Sequence, residues 1–197
     1  MPMSRIARVQ RTTKETDISV ELSLDGRGQA DIATGLGFWD HMLTALAKHA
    51  RFDLQVRVKG DLWIDDHHTV EDTALALGEA LRVALGERRG IRRFGTGFAP
   101  LDEALARAVV DLSGRPWPAV RFGFTRERLG DVATENLTHA LQSLAMEARI
   151  NLHLDLLAGE NDHHRAEAGF KAVALALREA VARDGTDDIP STKGVLA

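Results

Sequence analysis

The chain has 197 residues, of which 44% are hydrophobic and 27% charged, with a net charge of −4, a pI near 6.1 and no cysteine. A chain of this length buries roughly 70% of its unfolded surface, enough for a true core, and the missing thiols exclude a disulfide scaffold and thiolate metal sites. The acidic balance excludes a dominant nucleic-acid surface, no apolar run approaches bilayer length, and Met1-Pro2-Met3-Ser4-Arg5 carries no secretory segment, so a cytoplasmic protein is expected, with neither nucleic acid nor membrane as a partner.

In chain order, Arg5 to Thr12 and Thr16 to Leu24 alternate apolar and polar residues (Ile18, Val20, Leu22, Leu24), the period of half-buried strands. Asp25-Gly26-Arg27-Gly28 reads as a turn of the hairpin kind, and Ala30 to Thr34 as a third short strand ending at Gly35-Leu36-Gly37. Phe38 to His49 has apolar residues at helical spacing, with His41 in its first turn. Phe52 to Lys59 alternates again, Gly60-Asp61 turns, and a helix follows from His67 to about Gly86.

After a junction at 90–93 the order returns. Phe94 to Phe98, Leu105 to Leu112 and Ala119 to Phe124 read as strands, Val132 to Arg149 as a helix holding His139, and Ile150 to Leu157 as a strand. A last helix reaches about Arg183, and a polar tail with Pro190-Ser191-Thr192-Lys193-Gly194 looks like a loop. The expected fold is α/β, an internal duplication of a strand-strand-strand-helix-strand-helix unit, with two sheets and helices packed between them. The first half-repeat spans 1–90, the second 91–186, and a loop and tail 187–197. Arg88-Arg89 and Arg92-Arg93 form the one dense basic cluster, readable either as an anion site or as a solvated loop.

The chemistry concentrates in two pentads. His67-His68-Thr69-Val70-Glu71 and His163-His164-Arg165-Ala166-Glu167 both read His-His-x-x-Glu, and each opens a helix. An offset of 96 superposes them, and a shift of two more places His41 on His139. On a helix the first His and the Glu stand one turn apart on the same face, close enough to grip one cation, while the second His points elsewhere. Six of the eight histidines belong to this pattern. His49 and His153 do not, and read as packed or surface residues.

Six imidazoles and two carboxylates exceed what one first-row cation holds, but divide into four ligands for each of two ions, leaving octahedral positions open for a substrate. Geometry assigns His67, Glu71, His139 and His164 to one ion and His163, Glu167, His41 and His68 to the other. Mixed imidazole and carboxylate donors suit manganese, iron or zinc, with the open octahedron favouring the first two.

Four stretches together carry a resemblance: Thr34-Gly35-Leu36-Gly37-Phe38-Trp39-Asp40-His41-Met42-Leu43, Asp66 to Asp72, Gly159 to Lys171, and Ser191 to Leu196. In these motifs and their order the chain resembles the imidazoleglycerol-phosphate dehydratase family of histidine biosynthesis, in its stand-alone form. The resemblance implies two Mn2+ per site, held at subunit interfaces of a 24-subunit homo-oligomeric shell. It also implies a hydro-lyase that removes water from imidazole glycerol phosphate to give imidazole acetol phosphate. The hydrogen removed is barely acidic. Coordination of both ring nitrogens answers that difficulty, because a ring held as imidazolate can help expel the adjacent hydroxyl through a diazafulvene-like intermediate.

By the same likeness Glu15 is the proton-moving carboxylate, beside Glu71 and Glu167 in the catalytic centre. Arg93, Arg115, Ser191 and Lys193 match positions that clamp the phosphate, and Lys171 matches a substrate-contacting lysine; guanidinium and ammonium groups are the right types for an oxyanion. Thr44-Ala45 departs from the longer polar side chains of many relatives, a difference that bears only on fine substrate contacts. Two other functions suit the same donors: a di-metal hydrolase that activates water, and a non-catalytic metal-binding or shell-forming protein.

Overall fold

The computed structural model describes residues 5–196. Its first sheet contains β1 (Ile6–Thr12), β2 (Thr16–Ser23), β3 (Ala30–Ala33) and β4 (Asp53–Gly60) in the spatial order β1-β2-β4-β3. The second contains β5 (Phe94–Leu101), β6 (Ala104–Asp111), β7 (Trp117–Arg121) and β10 (Asn151–Ala158) in the order β5-β6-β10-β7. In each sheet a hairpin leads, its second strand pairs antiparallel with a later strand, and the edge strand lies parallel to that one. Identical topology in the two halves is the fold-level mark of the duplication.

The helices are α1 (Gly37–Ala50), α2 (His67–Leu85), α3 (Thr134–Ala148) and α4 (Asp162–Ala180). Strand alternation turns Thr16, Ile18, Val20 and Leu22 of β2 inward, and Ala104, Ala106, Ala108 and Val110 of β6 likewise. Those faces are covered by α2 and α4, so the helices form the middle layer between two sheets. Across that layer the halves interlock, with α1 against α4 and α2 against α3. Each contact joins a helix of one half to a helix of the other. Trp39 of α1 meets Phe170 of α4 edge-on, ring centroids 5.9 Å apart, and both are buried. No helix among the described residues is long and apolar enough to cross a membrane.

Three sequence expectations change. The turn at 25–28 does not close a hairpin, because β3 pairs parallel with β4 at the sheet edge. The backbone just before α3 forms a small hairpin, β8 (Arg128–Leu129) with β9 (Val132–Ala133), where the sequence reads as helix from Val132. A two-residue strand is too short to show a period. The basic cluster also divides: Arg88 is buried, donating to the carbonyls of Leu112, Ala148 and Arg149, while Arg92 pairs with Glu179. Arg88 thus caps the end of α3 by satisfying carbonyls that have no intrahelical partner.

The seat of α4 depends on small residues. A Cβ added at Gly97 of β5 would stand 2.1 Å from the carbonyl oxygen of Ala172, and one at Gly95 only 1.9 Å from that of Ala176. Glycine is required here by the approach of the helix backbone. Gly97→Ala is therefore expected to lift α4 and cost about 1–3 kcal/mol, as overpacking does. A chemical-denaturation midpoint unchanged from wild type would contradict so close a seat.

Candidate metal centre

Both pentads open helices, by different local means. At α4 the side chain of Asn161 accepts from the backbone N–H groups of His163 (2.9 Å) and His164 (3.4 Å), a capping arrangement for otherwise unpaired donors. At α2 the side chain of Asp65 accepts from His67 N at 2.8 Å. The aspartates just before the first histidines turn inward. Asp66 accepts from Ala133 N and from the side chains of Asn136 and Arg128, and Asp162 from Thr125 and Arg126 backbone N–H groups. Burial alone would push the Asp66 carboxyl up, but the Asn136 and Ala133 hydrogen bonds and the Arg128 charge outweigh it and hold it below the usual carboxylate range. These two anions fix the segment that leads into α3, and so fix His139.

Helix α1 is started from the other half: Asp131 accepts from Gly37 N (2.6 Å) and Phe38 N (3.1 Å). That cap stands one turn before His41.

Two groups of donors result, each with its ligand atoms within 4.8 Å of one another: His67, Glu71 and His139, and His41, His163 and Glu167. In the first, Glu71 lies 3.4 Å from His67 Nε2 and 3.0 Å from His139 Nε2. In the second, Glu167 Oε2 lies 3.4 Å from His163 Nε2 and 3.1 Å from His41 Nε2. Adjacent donors on an octahedral ion bonded at about 2.1 Å stand roughly 3 Å apart, so both sets fit one divalent cation each. Every group draws on both halves of the chain, as the helix pairing requires.

His68 and His164 lie outside these groups. Their Nδ1 atoms are taken by Asp61 (2.9 Å) and Glu103 (2.7 Å). Those hydrogen bonds raise both imidazoles above their ordinary pKa, and the His164 contact with two backbone N–H donors brings Glu103 down to about 2. The Nε2 atoms face hairpin tips: Glu15 lies 3.8 Å from His68 Nε2, and Asp102 lies 3.9 Å from His164 Nε2. In both halves, therefore, the tip of the leading hairpin carries a carboxylate to the second histidine of the pentad. His49 and His153 belong to neither group.

Glu167 differs from Glu71 in having a cation beside it. Lys171 Nζ is 2.5 Å from Glu167 Oε1. Burial raises the Glu167 carboxyl, but Lys171 and His41 together hold it down to about 2. Away from both groups, Arg93, Ser113, Arg115, Ser191, Thr192 and Lys193 line one cleft. Arg93 is braced there by a two-point pair with Asp111 (2.7 and 3.1 Å) and by the Pro190 carbonyl (2.8 Å), so each of its three nitrogens already donates once and one N–H remains on each terminal nitrogen. The four phosphate candidates thus share a concave surface, whereas Lys171 sits with Glu167.

Sequence reasoning missed Asp61, Asp66, Glu103 and Asn136. Asp66 does fall on Asp162 at the offset of 96, but its inward role, like those of the other three, depends on partners reached through the tertiary fold. The offset of 96 gives no help with Glu103, since it sets Glu15 on Asp111 at the far end of β6.

The imidazoleglycerol-phosphate dehydratase family model matches residues 34–177. The imidazoleglycerol-phosphate dehydratase of Eremothecium gossypii is 53% identical, with all of both chains aligned, and that of Phaffia rhodozyma 58% identical over 98% of this chain and 96% of its own. A Phytophthora nicotianae relative is also 58% identical, and this chain spans 43% of its length. Among solved structures, the enzyme of Pyrococcus furiosus in complex with (S)-C348 superposes with a TM-score of 0.83 at 39% identity, covering 95% of this chain and all of the other. That of Staphylococcus aureus does so with a TM-score of 0.82 at 35% identity, covering 90% and 99%. Matched in fold and sequence along almost its whole length, the chain belongs to the imidazoleglycerol-phosphate dehydratase family.

Proposed function

We propose that this chain is the hydro-lyase of its family, converting imidazole glycerol phosphate to imidazole acetol phosphate and water in histidine biosynthesis, with two Mn2+ per active site. The observation that carries this reading is the pair of three-donor groups, His67, Glu71, His139 and His41, His163, Glu167, each of a size and composition for one divalent ion. A pair of such ions would supply the Lewis acidity that favours a deprotonated imidazole ring in the substrate. His68 and His164 are the fourth ligands in this reading. Their place outside both groups of their own chain, with Nε2 turned to the hairpin tips, supports donation to a site completed by a neighbouring subunit.

The chain's own residues then divide the work. Arg93, Arg115, Ser191 and Lys193 hold the phosphate, Arg by its fork and Lys as a point charge. Lys171, beside Glu167, orients a substrate oxygen. Glu15 moves the proton: the C–O bond to the hydroxyl beside the ring breaks, the proton on the next carbon leaves, and the enol so formed becomes the ketone. The position of Glu15 near His68 supports that role, because it places a carboxylate next to a proposed ligand. Glu71 and Glu167 contribute the negative charge that the ions require.

Incubation of manganese-loaded protein with imidazole glycerol phosphate is expected to give the enolised ketone, followed by absorbance. Release of phosphate without ketone would replace the lyase by a hydrolase. Glu15→Gln is expected to lower turnover by about 10²–10⁴-fold, the usual worth of a positioned acid or base, with metal content retained. Full turnover in that variant would remove Glu15 from the chemistry.

A 24-subunit shell with the centres at its interfaces is part of the same proposal. It is supported by the large apolar side chains beside the first pentad, Trp63 at 81% and Ile64 at 62% exposure, which a lone chain leaves in water. If ligands come from more than one chain, chelation breaks the shell into smaller oligomers visible by light scattering. A 24-mer that keeps its size after complete metal removal would contradict metal-dependent assembly.

A further inference from the structure

The two donor groups are related by duplication, yet their surroundings differ in ways that act in one direction. In the α2/α3 group, His67 Nδ1 is 3.0 Å from Asn136 Oδ1, and Asn136 Nδ2 donates to Asp66 at 2.9 Å. Asp66 is buried and also accepts from Ala133 N and Arg128, so it can serve only as an acceptor toward Asn136. The amide is therefore oriented with its oxygen toward His67. That oxygen requires a proton on Nδ1, which leaves the lone pair on Nε2, the atom facing Glu71.

The residue at the place of Asn136 in the first half is Phe38, by the offset that relates His139 to His41. It meets His163 edge-on, with ring centroids 5.2 Å apart. An aromatic ring offers no carbonyl oxygen to hold Nδ1–H, and among the described residues no side chain accepts from His163 Nδ1. The carboxylates differ as well. Glu167 shares its charge with Lys171 at 2.5 Å, whereas the corresponding position beside Glu71 is Leu75. An ammonium group beside a ligand both occupies one carboxylate oxygen and repels an incoming cation.

We propose that the two cation sites are unequal, with Asn136 as the positioning residue that makes the His67/Glu71/His139 site the tighter, and Phe38 and Lys171 keeping the His41/His163/Glu167 site the weaker. This rests on the two-centre reading above. The tight site fills first and holds its ion between turnovers. The weak site carries the ion that is lost first on dilution or mild chelation.

The test is a titration of the metal-free full chain with Mn2+, counting free ion by its electron paramagnetic resonance signal. Wild type is expected to bind two ions per chain in two classes at least tenfold apart. Asn136→Ala weakens the tight class by about 10–100-fold, the usual effect of removing such a partner, and leaves the weak class in place. Lys171→Met tightens the weak class without moving the other, and so tests the inequality from the opposite side should Asn136→Ala lower the unfolding midpoint. Two ions bound in a single class, or an Asn136→Ala variant that weakens both classes alike while still folded, would overturn the inequality. Failure to bind any cation would overturn the two-centre reading itself, which is a distinguishable result.

Discussion

Each trio of candidate donors comes together because a helix of one half lies against a helix of the other. His67 and Glu71 are one turn apart on α2, but their third partner, His139, comes from α3; His163 and Glu167 on α4 wait likewise for His41 on α1. Neither half can assemble a site by itself. The contact that matters is therefore the packing of the middle layer, and that packing is set by small residues: Gly95 and Gly97 beneath α4, and the run of alanines along it. Charge then fixes the helix starts. An exposed Asp131 caps α1 from the opposite half, while the buried Asp66 and Asp162 pin the segment before α3, so carboxylates at the seam hold imidazoles in register. Such groups are stable at the seam because each meets several donors, which offsets the loss of water.

Much of this was legible from the chain alone, for a physical reason. The period of two in Ile18, Val20 and Leu22 and the helical spacing after each pentad report burial directly. Duplication supplied what a single motif cannot: the offset of 96 pairs the pentads, and their helical geometry predicts which Glu faces which His. Three members of each predicted set of four are brought together. His68 and His164 are not, since the second histidine of a pentad points off the shared line, toward a hairpin tip.

What remained hidden depends on tertiary contacts without sequence period. The parallel edge position of β3, the two-residue strands β8 and β9, and the buried role of Arg88 all follow from how elements meet. The same holds for Asn136, whose amide links His67 to Asp66 across the α2/α3 contact. Phe38 stands inside the Thr34–Leu43 motif, yet its ring against His163 could be known only from the fold. Copies of one ancestral unit keep the His and Glu donors and diverge in what stands behind them, Asn136 beside His67 but Phe38 beside His163.

Two ions are expected where helices of opposite halves cross. Anomalous diffraction at the manganese edge, from crystals of the manganese-loaded protein, locates them without reference to activity. The expected map has one peak at bonding distance from His67, Glu71 and His139, and another at bonding distance from His41, His163 and Glu167. Peaks elsewhere in the assembly, with either trio left without an ion at saturating manganese, would contradict it.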